Sequence, residues 1–420
     1  MDFNTFANCL TLPTTINHNP VPTSLLACLQ QLKDLRGKQG RRYRVSLVMT
    51  LLILAKLAGQ SEITAIAQWV RLRADWLCST LNLPSGRLPC VNTYLHVCRN
   101  IDPYELNQIL TDFFSALSHP AVPSPVPPSQ PPTRSLRHLA IDGKTLRGTL
   151  KSRNKGGKVH LLELYDVQKG LVLTQTQVND KTNEISLAHK LIEKRDLRGC
   201  VVTGDALHTQ KKWGSLVGKA GGHWLMIAKA NQANLLEEIR FLFEGEKEEE
   251  GEGEEEKPIK EWPWWLEKRQ ARSVDKGHGR IEFREISVSN ELKQYLGDTW
   301  SGVEQVFRLE RKIICKGVTR KEVVYGLTSL SEKMASAAYL LSLVRQHWKI
   351  ENRLHWRKDV TLKEDKCLVG DSHIQQVLAT LNNTVLGLFD FLVVKNVPRQ
   401  MQIFLAKPNL ALDLLIGAIY

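Results

Sequence analysis

Paired cysteines are missing from this chain. Cys9, Cys28, Cys78, Cys90, Cys98, Cys200, Cys315 and Cys367 are scattered, with no Cys-x-x-Cys spacing. That pattern argues against a disulfide frame and a zinc ribbon, and reads as buried thiols of a reducing cytosol. The N-terminus lacks a charged segment followed by an apolar core, so no secretory signal is expected. Long hydrophobic runs are lacking too. The most apolar stretch, Val45 to Ala55, is broken by Ser46 and Thr50 and is too short to span a bilayer. The expectation is a soluble intracellular protein with no membrane partner.

Acidic residues are the scarcer charge. The 420 residues carry 57 Lys+Arg against 44 Asp+Glu, a formal +13. The stretch Glu244 to Glu256 holds nine Glu and one Lys, a local −8, which leaves +21 on the rest. A surplus of that size points to a polyanionic partner, nucleic acid first, although charge alone is also compatible with a generic basic protein.

Residues 1–119 read as a helical N-terminal domain. Val45 to Leu57 predicts an apolar helix ending at Gly59. Ser61 to Leu72, Ala74 to Leu81, Val91 to Asn100 and Pro103 to Leu117 follow as short helices. Arg41, Arg42, Arg44, Arg71 and Arg73 on such helices suit a helix-turn-helix-like DNA reader, or equally a cap that packs on a catalytic core. Residues 120–134, rich in Pro and Ser from Pro120 to Pro132, read as a linker.

Beyond it the pattern turns to strands. Arg137 to Asp142, Lys158 to Tyr165 and Leu171 to Val178 alternate as β-runs. A helix over Asn183 to Arg195, a buried strand over Gly199 to Thr203, a helix near Gln210 to Ala220, a strand His223 to Ala228 and a helix Asn231 to Phe243 follow. This order predicts an α/β, ribonuclease-H-like catalytic core: a mixed five-stranded sheet with helices on both faces, begun in residues 135–243. Residues 244–332 read as a solvated acidic loop plus a β-rich insertion, with strands at Ile281 to Val288, Glu304 to Cys315 and Lys321 to Thr328. Trp262, Trp264 and Trp265 are expected in the core of that insertion. Residues 333–420 are expected to complete the catalytic core with long helices at Ala335 to His355 and Ile374 to Val394.

Three carboxylates stand where a metal-dependent nuclease would use them. Asp142 closes the apolar run Leu139-Ala140-Ile141, Asp205 closes Cys200 to Gly204, and Glu351 lies on a helix. Two strand-end carboxylates and a helical one can hold a pair of divalent cations roughly 3.5–4 Å apart for in-line displacement at phosphorus. Each has a plainer reading. Asp142-Gly143 is a strong hairpin signal, Asp205 could merely cap a helix, and Glu351 could sit in a buried ion pair. Lys144 and Arg147 beside Asp142 suit a phosphate-handling edge. Around Glu351, the segment Arg345 to Asp365 interleaves His347-Trp348 and His355-Trp356 with Arg353, Arg357 and Lys358, a composition that suits phosphate contact and base stacking.

Six blocks stand in an order that resembles a known family: Ile141-Asp142-Gly143-Lys144-Thr145-Leu146-Arg147-Gly148, Lys181-Thr182-Asn183-Glu184-Ile185, Thr203-Gly204-Asp205-Ala206, Lys229-Ala230-Asn231-Gln232, His278-Gly279-Arg280-Ile281-Glu282 and His347 to Trp356. They resemble the H-repeat-associated insertion-sequence transposases, a branch of the DDE transposases, from about Leu32 to Leu388. The resemblance implies Asp142, Asp205 and Glu351 as the metal-binding triad, with two Mg²⁺ ions that Mn²⁺ can replace. It also implies DNA contact by Lys144, Arg147, Arg280, Arg345, His347, Trp348, Arg353 and Lys358. Double-stranded DNA would be the partner of a homodimer on paired element ends, in a bacterial cytoplasm at the nucleoid. A broader signature of related transposases spaces Tyr, Arg, Glu and Lys along this helix. Lys358 falls at its Lys position, whereas Val344 and His347 stand at its Tyr and Arg positions. A ribonuclease-H-like nuclease without strand transfer, and an inactive DNA-binding relic, remain open at this point.

Overall fold

The computed structural model describes residues 24–83, 87–117, 136–147, 159–178, 184–193, 195–245, 269–277 and 279–417. The expected linker, the acidic tract beyond Gly245, the tryptophan cluster and Lys181 to Asn183 lie outside the described residues. The chain divides into two units, one built mainly from residues 1–125 and 360–420, the other from 126–151 and 155–359.

The first unit is helical. Helix Val45–Leu57 buries every residue except Leu47, as a helix apolar all round must. Helices Ile63–Arg71, Val91–Arg99, Ser372–Phe391 and Pro408–Ile416 pack around it. Inside, the buried Lys56 donates to Asn382 Oδ1 at 2.8 Å, and Asn382 donates to Glu364 Oε1 at 2.8 Å. The C-terminal helices were expected to complete the catalytic core. By contacts, residues 360–420 group with the helical unit. Ser372–Phe391 is apolar on several faces and needs enclosure by helices, which one face of a sheet does not supply. On this unit Arg41, Arg42, Arg44 and Arg71 are exposed, while Arg73 stacks over the Trp69 ring.

The second unit is built on one sheet: β1 (Arg137–Leu146), β2 (Val159–Asp166), β3 (Leu171–Val178), β4 (Cys200–Gly204), β5 (His223–Ala228), β6 (Arg269–Gly277), β7 (Arg280–Ser289), β8 (Gln305–Cys315) and β9 (Val318–Thr328). Its order is β3-β2-β1-β4-β5-β9-β8-β7-β6. β1 to β3 are antiparallel, β4 and β5 run parallel to β1, and β9 joins β5 antiparallel. The sheet therefore has nine strands, not five. The expected insertion extends it, because β5 would otherwise present an unpaired edge, which Tyr325 to Thr328 of β9 cover. β6 was not expected at all. Its sequence Arg-Gln-Ala-Arg-Ser-Val-Asp-Lys-Gly has almost no apolar alternation, because it is the exposed edge strand.

Helices lie on both faces. Alternation along β4 and β5 sends Val202 and Met226 to one side and Val201 and Leu225 to the other. The first side is covered by helices Glu184–Glu193, Lys211–Lys219 and Ala233–Glu244, through Ile192, Trp213 and Ile239 among others. Helix Ala337–His347 covers the second through Leu340, Leu341 and Val344.

Gly326 sits where the two halves of the sheet meet, opposite Ile227 on β5 and Phe307 on β8. A Cβ here would run into the Phe307 ring and the Met226 carbonyl oxygen. Gly326→Ala should therefore lower stability by about 1–3 kcal/mol through overpacking. Urea unfolding of the variant checks this. An unchanged midpoint would mean that the joint is looser than the contacts indicate.

Candidate metal centre

β1 runs on through Asp142, and this decides how the site is built. Asp142-Gly143 does not form a hairpin, because Gly143 pairs with Leu162 in the β1–β2 ladder. Asp142 lies directly opposite Glu163 on β2, so both side chains share one face. On the other flank Ile141 is paired with Gly204 of parallel β4, which brings Asp205 to the neighbouring strand end, one residue beyond that pair. Asp205 also caps the short turn Ala206–His208, with Oδ1 accepting from Leu207 N at 3.1 Å. Capping and placement beside Asp142 hold together.

Glu351 comes from a segment expected to be one long helix, Ala335 to His355. The regular helix stops at His347. From Ile350–His355 and Arg357–Thr361 the backbone winds in wide i→i+5 turns. Such turns are rare and are enriched at functional sites. Ile350 and Leu354 are buried, while Glu351, His355 and Asp359, spaced by four, serve the β1 side. His355 Nδ1 lies 3.1 Å from Glu351 Oε2 and 3.5 Å from Asp142 Oδ2. One ligand atom from each of Asp142, Glu351 and His355 lies within 4.8 Å of the others. Two carboxylates and an imidazole are a donor set that fits a divalent cation.

The electrostatics agree with such a site. Burial pushes the Asp142 carboxyl up to about 6, with the charges of Asp205 and Glu351 adding to the rise and His355 opposing it. Asp205 is thus within electrostatic reach of the pair. Glu351 is held below the usual carboxylate range by its hydrogen bond to His355, which outweighs burial, with further help from the charges of His355, Lys144 and Arg147. Burial alone would lower His355. Its hydrogen bonds to Glu163 and Glu351, with the charges of Glu163 and Asp142, raise it to about 9 instead. Behind it, buried Glu163 accepts from His355 Nε2 at 3.0 Å and from Lys358 Nζ at 2.8 Å. Burial disfavours its charge, but Lys358 and His355 hold its carboxyl well below the usual range.

The family model described as "Transposase DDE domain" matches residues 133–386, and one described as "DDE_Tnp_1-associated" matches residues 26–114. The chain belongs to the DDE-domain transposases. It is 25% identical over 374 residues to the "H repeat-associated putative transposase YhhI" of Escherichia coli (strain K12), covering 87% of this chain and 89% of that one. It is 24% identical over 371 residues to the "Putative transposase YncI" of Escherichia coli O157:H7, covering 87% of each. Among solved structures, the piggyBac transposase synaptic complex with hairpin DNA aligns over 92% of this chain and 78% of its own, at 9% identity and a TM-score of 0.40. Membership makes this transposase a DNA-cutting and joining enzyme in general terms, and implies use of a divalent metal. Among the described residues no helix is long and apolar enough to cross a membrane.

Several residues expected at DNA lie elsewhere in the transposase. Lys358 is 0% exposed against Glu163, so its ammonium does not face a phosphate. His347 is buried, with Nδ1 2.9 Å from Thr203 Oγ1, a hydroxyl it shares with His138 Nε2 at 2.8 Å. Burial drops His347 to about 4, so it is neutral. Lys144 is buried and bound to both Asp359 oxygens at 2.6 Å. Arg345, on helix Ala337–His347, pairs with Asp275 of β6 at 2.7 Å, and Arg280 pairs with Glu282 within β7 at 2.9 Å; both arginines remain partly exposed. Arg147, Trp348 and Trp356 are exposed, and Arg353 is half-buried. Sequence reasoning gave no role to Glu163, whose signal was a lone carboxylate between Leu162 and Leu164. His355 was read for DNA contact, and its neighbourhood with Asp142 was missed.

The raised pKa of His355 has a consequence for stability. An unfolded imidazole titrates near ~6.5. Between that value and about 9 only the folded state holds the proton, so stability falls as pH rises through this window. Metal-free protein should lose on the order of 1–3 kcal/mol across it. His355→Gln should flatten the profile. Urea midpoints measured at several pH values test this, and parallel profiles for the two proteins would show that the proton is held elsewhere.

Proposed function

We propose that this transposase cuts the phosphodiester at the ends of its mobile element and joins the freed 3′-hydroxyl to target DNA, with Asp142, Asp205 and Glu351 as the carboxylates of a two-cation site. The convergence of Asp142 and Glu351 around His355, with Asp205 on the adjoining strand end, is the observation that carries this reading. The order β3-β2-β1-β4-β5 supports a ribonuclease-H-like core within the larger sheet. Mg²⁺ is the proposed cation, with Mn²⁺ as a substitute.

When bound, divalent cations neutralise the phosphate and strengthen a water or hydroxyl as a nucleophile. In the first step a water oxygen attacks phosphorus and the P–O3′ bond breaks, leaving a 3′-hydroxyl on the element end. In the second, that hydroxyl attacks a target phosphorus and the target's own P–O3′ bond breaks. Asp142 is fixed on a sheet strand by neighbours on both sides, and its Oδ1 accepts from Gly143 N at 2.8 Å. Glu351 is steered by His355. Exposed Arg147, Trp348 and Trp356, with half-buried Arg353, form the basic and aromatic surroundings that would grip the duplex. The exposed arginines of the helical unit would add sequence-independent affinity. A homodimer would supply the paired ends.

Replacing any one of Asp142, Asp205 or Glu351 by Ala should abolish metal-dependent strand cleavage while leaving binding to end DNA nearly unchanged, because cationic contacts to phosphate carry most of the affinity. Nicking assays beside gel-shift titrations measure both. An Asp205→Ala protein that still cuts in Mg²⁺ would sink the assignment. Arg353→Ala should reduce the slope of log affinity against log salt by about one phosphate contact. A slope equal to that of the unaltered protein would take Arg353 off the DNA path.

A further inference from the structure

Glu163 and Lys358 are both 0% exposed, a costly place for two charges. Neither can reach a phosphate, and an apolar pair would fill the same volume with less desolvation. Their arrangement is specific. Oε1 of Glu163 accepts from Lys358 at 2.8 Å, and Oε2 accepts from Nε2 of His355 at 3.0 Å. The two ring nitrogens of an imidazole point away from each other, so a carboxylate behind Nε2 determines where Nδ1 is aimed. Here it is aimed between Glu351 Oε2, at 3.1 Å, and Asp142 Oδ2, at 3.5 Å.

We propose that His355 Nδ1 is a nitrogen ligand of the cation held by Asp142 and Glu351, and that Glu163 and Lys358 are positioning residues for it. Lys358 fixes one oxygen of Glu163, and the other oxygen fixes the tautomer and ring plane of His355. The inference rests on the metal-site reading above and deepens it. It also explains why Mn²⁺ should bind here more tightly than Mg²⁺ while Mg²⁺ stays the proposed catalytic cation. Two carboxylates plus an imidazole suit Mn²⁺ better than Mg²⁺, which favours all-oxygen coordination.

Mn²⁺ alone, added to the full-length protein and followed by electron paramagnetic resonance, tests this without reference to activity. Bound Mn²⁺ should show ¹⁴N coupling in the unaltered protein and lose it in His355→Gln. Glu163→Gln should weaken Mn²⁺ binding roughly ten- to hundredfold, as loss of an outer carboxylate does, with a reduced ¹⁴N signal. Lys358→Met alone would strand a buried carboxylate and risks unfolding. The paired Glu163→Gln, Lys358→Met protein removes both charges, and a thermal melt checks its fold. It should show the same loss of Mn²⁺ binding. Unaltered affinity and ¹⁴N coupling in Glu163→Gln would overturn the positioning role, and tight Mn²⁺ binding without ¹⁴N coupling in the unaltered protein would overturn the ligand role of His355; either result leaves the carboxylate site standing. Mn²⁺ binding that is absent, or indifferent to Asp142→Asn and Glu351→Gln, would overturn the metal reading and this inference together.

Discussion

The buried Glu163 carboxylate is the point from which the candidate site hangs. It belongs to β2, but its two oxygens are engaged by residues nearly 200 positions away, His355 and Lys358. Removing one partner of such a pair leaves a stranded charge, at a cost of about 3–5 kcal/mol. That penalty ties the wide-turned segment to the sheet in one register. The Lys144–Asp359 pair ties it a second time, and Ile350 and Leu354 add apolar anchorage. Glu351 itself is more than half exposed and could not hold its own position. Its placement follows from neighbours that are locked.

The sheet solves the complementary problem of bringing carboxylates together. Like charges on adjacent strands repel, and the rise of Asp142 to about 6 records both burial and that repulsion. Without a cation nearby, the proton on His355 provides the compensating charge. A divalent cation supplies the same compensation more strongly. The repulsion that disfavours the empty carboxylate cluster is therefore also what favours cation binding, and backbone pairing of β1 with β2 and β4 sustains it.

Much of this architecture was legible in the sequence, and for identifiable reasons. The strands β1 to β5 and β7 to β9 announce themselves by apolar alternation or apolar runs, and Asp205 by the buried run before it. What stayed hidden depends on pairing or on departures from regular geometry. β6 is polar because it is the edge strand, with every second residue open to solvent and only a few half-buried positions under helix Ala337–His347. The joining of β9 to β5 depends on which edge is left open, which no local pattern encodes. Glu163 gains meaning only once register puts it opposite Asp142, and the connection between β1 and β2 is too long for its turn chemistry to set that register. The wide turns after His347 break the 3.6-residue stripe from which the helix was read, so Lys358 turned inward to the sheet where a phosphate contact had been expected.

The residue at the Arg position of the broader transposase signature shows how tightly the interior constrains chemistry. His347 shares the Thr203 hydroxyl with His138, and burial keeps both imidazoles neutral, at about 4 and about 3. A guanidinium cannot shed its charge, so at the same depth it would need a buried anion that this packing does not offer it. A neutral imidazole fits because it can share a hydroxyl without carrying charge. It bonds Thr203 of β4, two residues before Asp205, whose charge opposes the drop in its pKa. In the proposed reading, phosphate contact would fall to side chains that remain at the surface, Arg147 and half-buried Arg353, while the buried side of this segment positions the carboxylates.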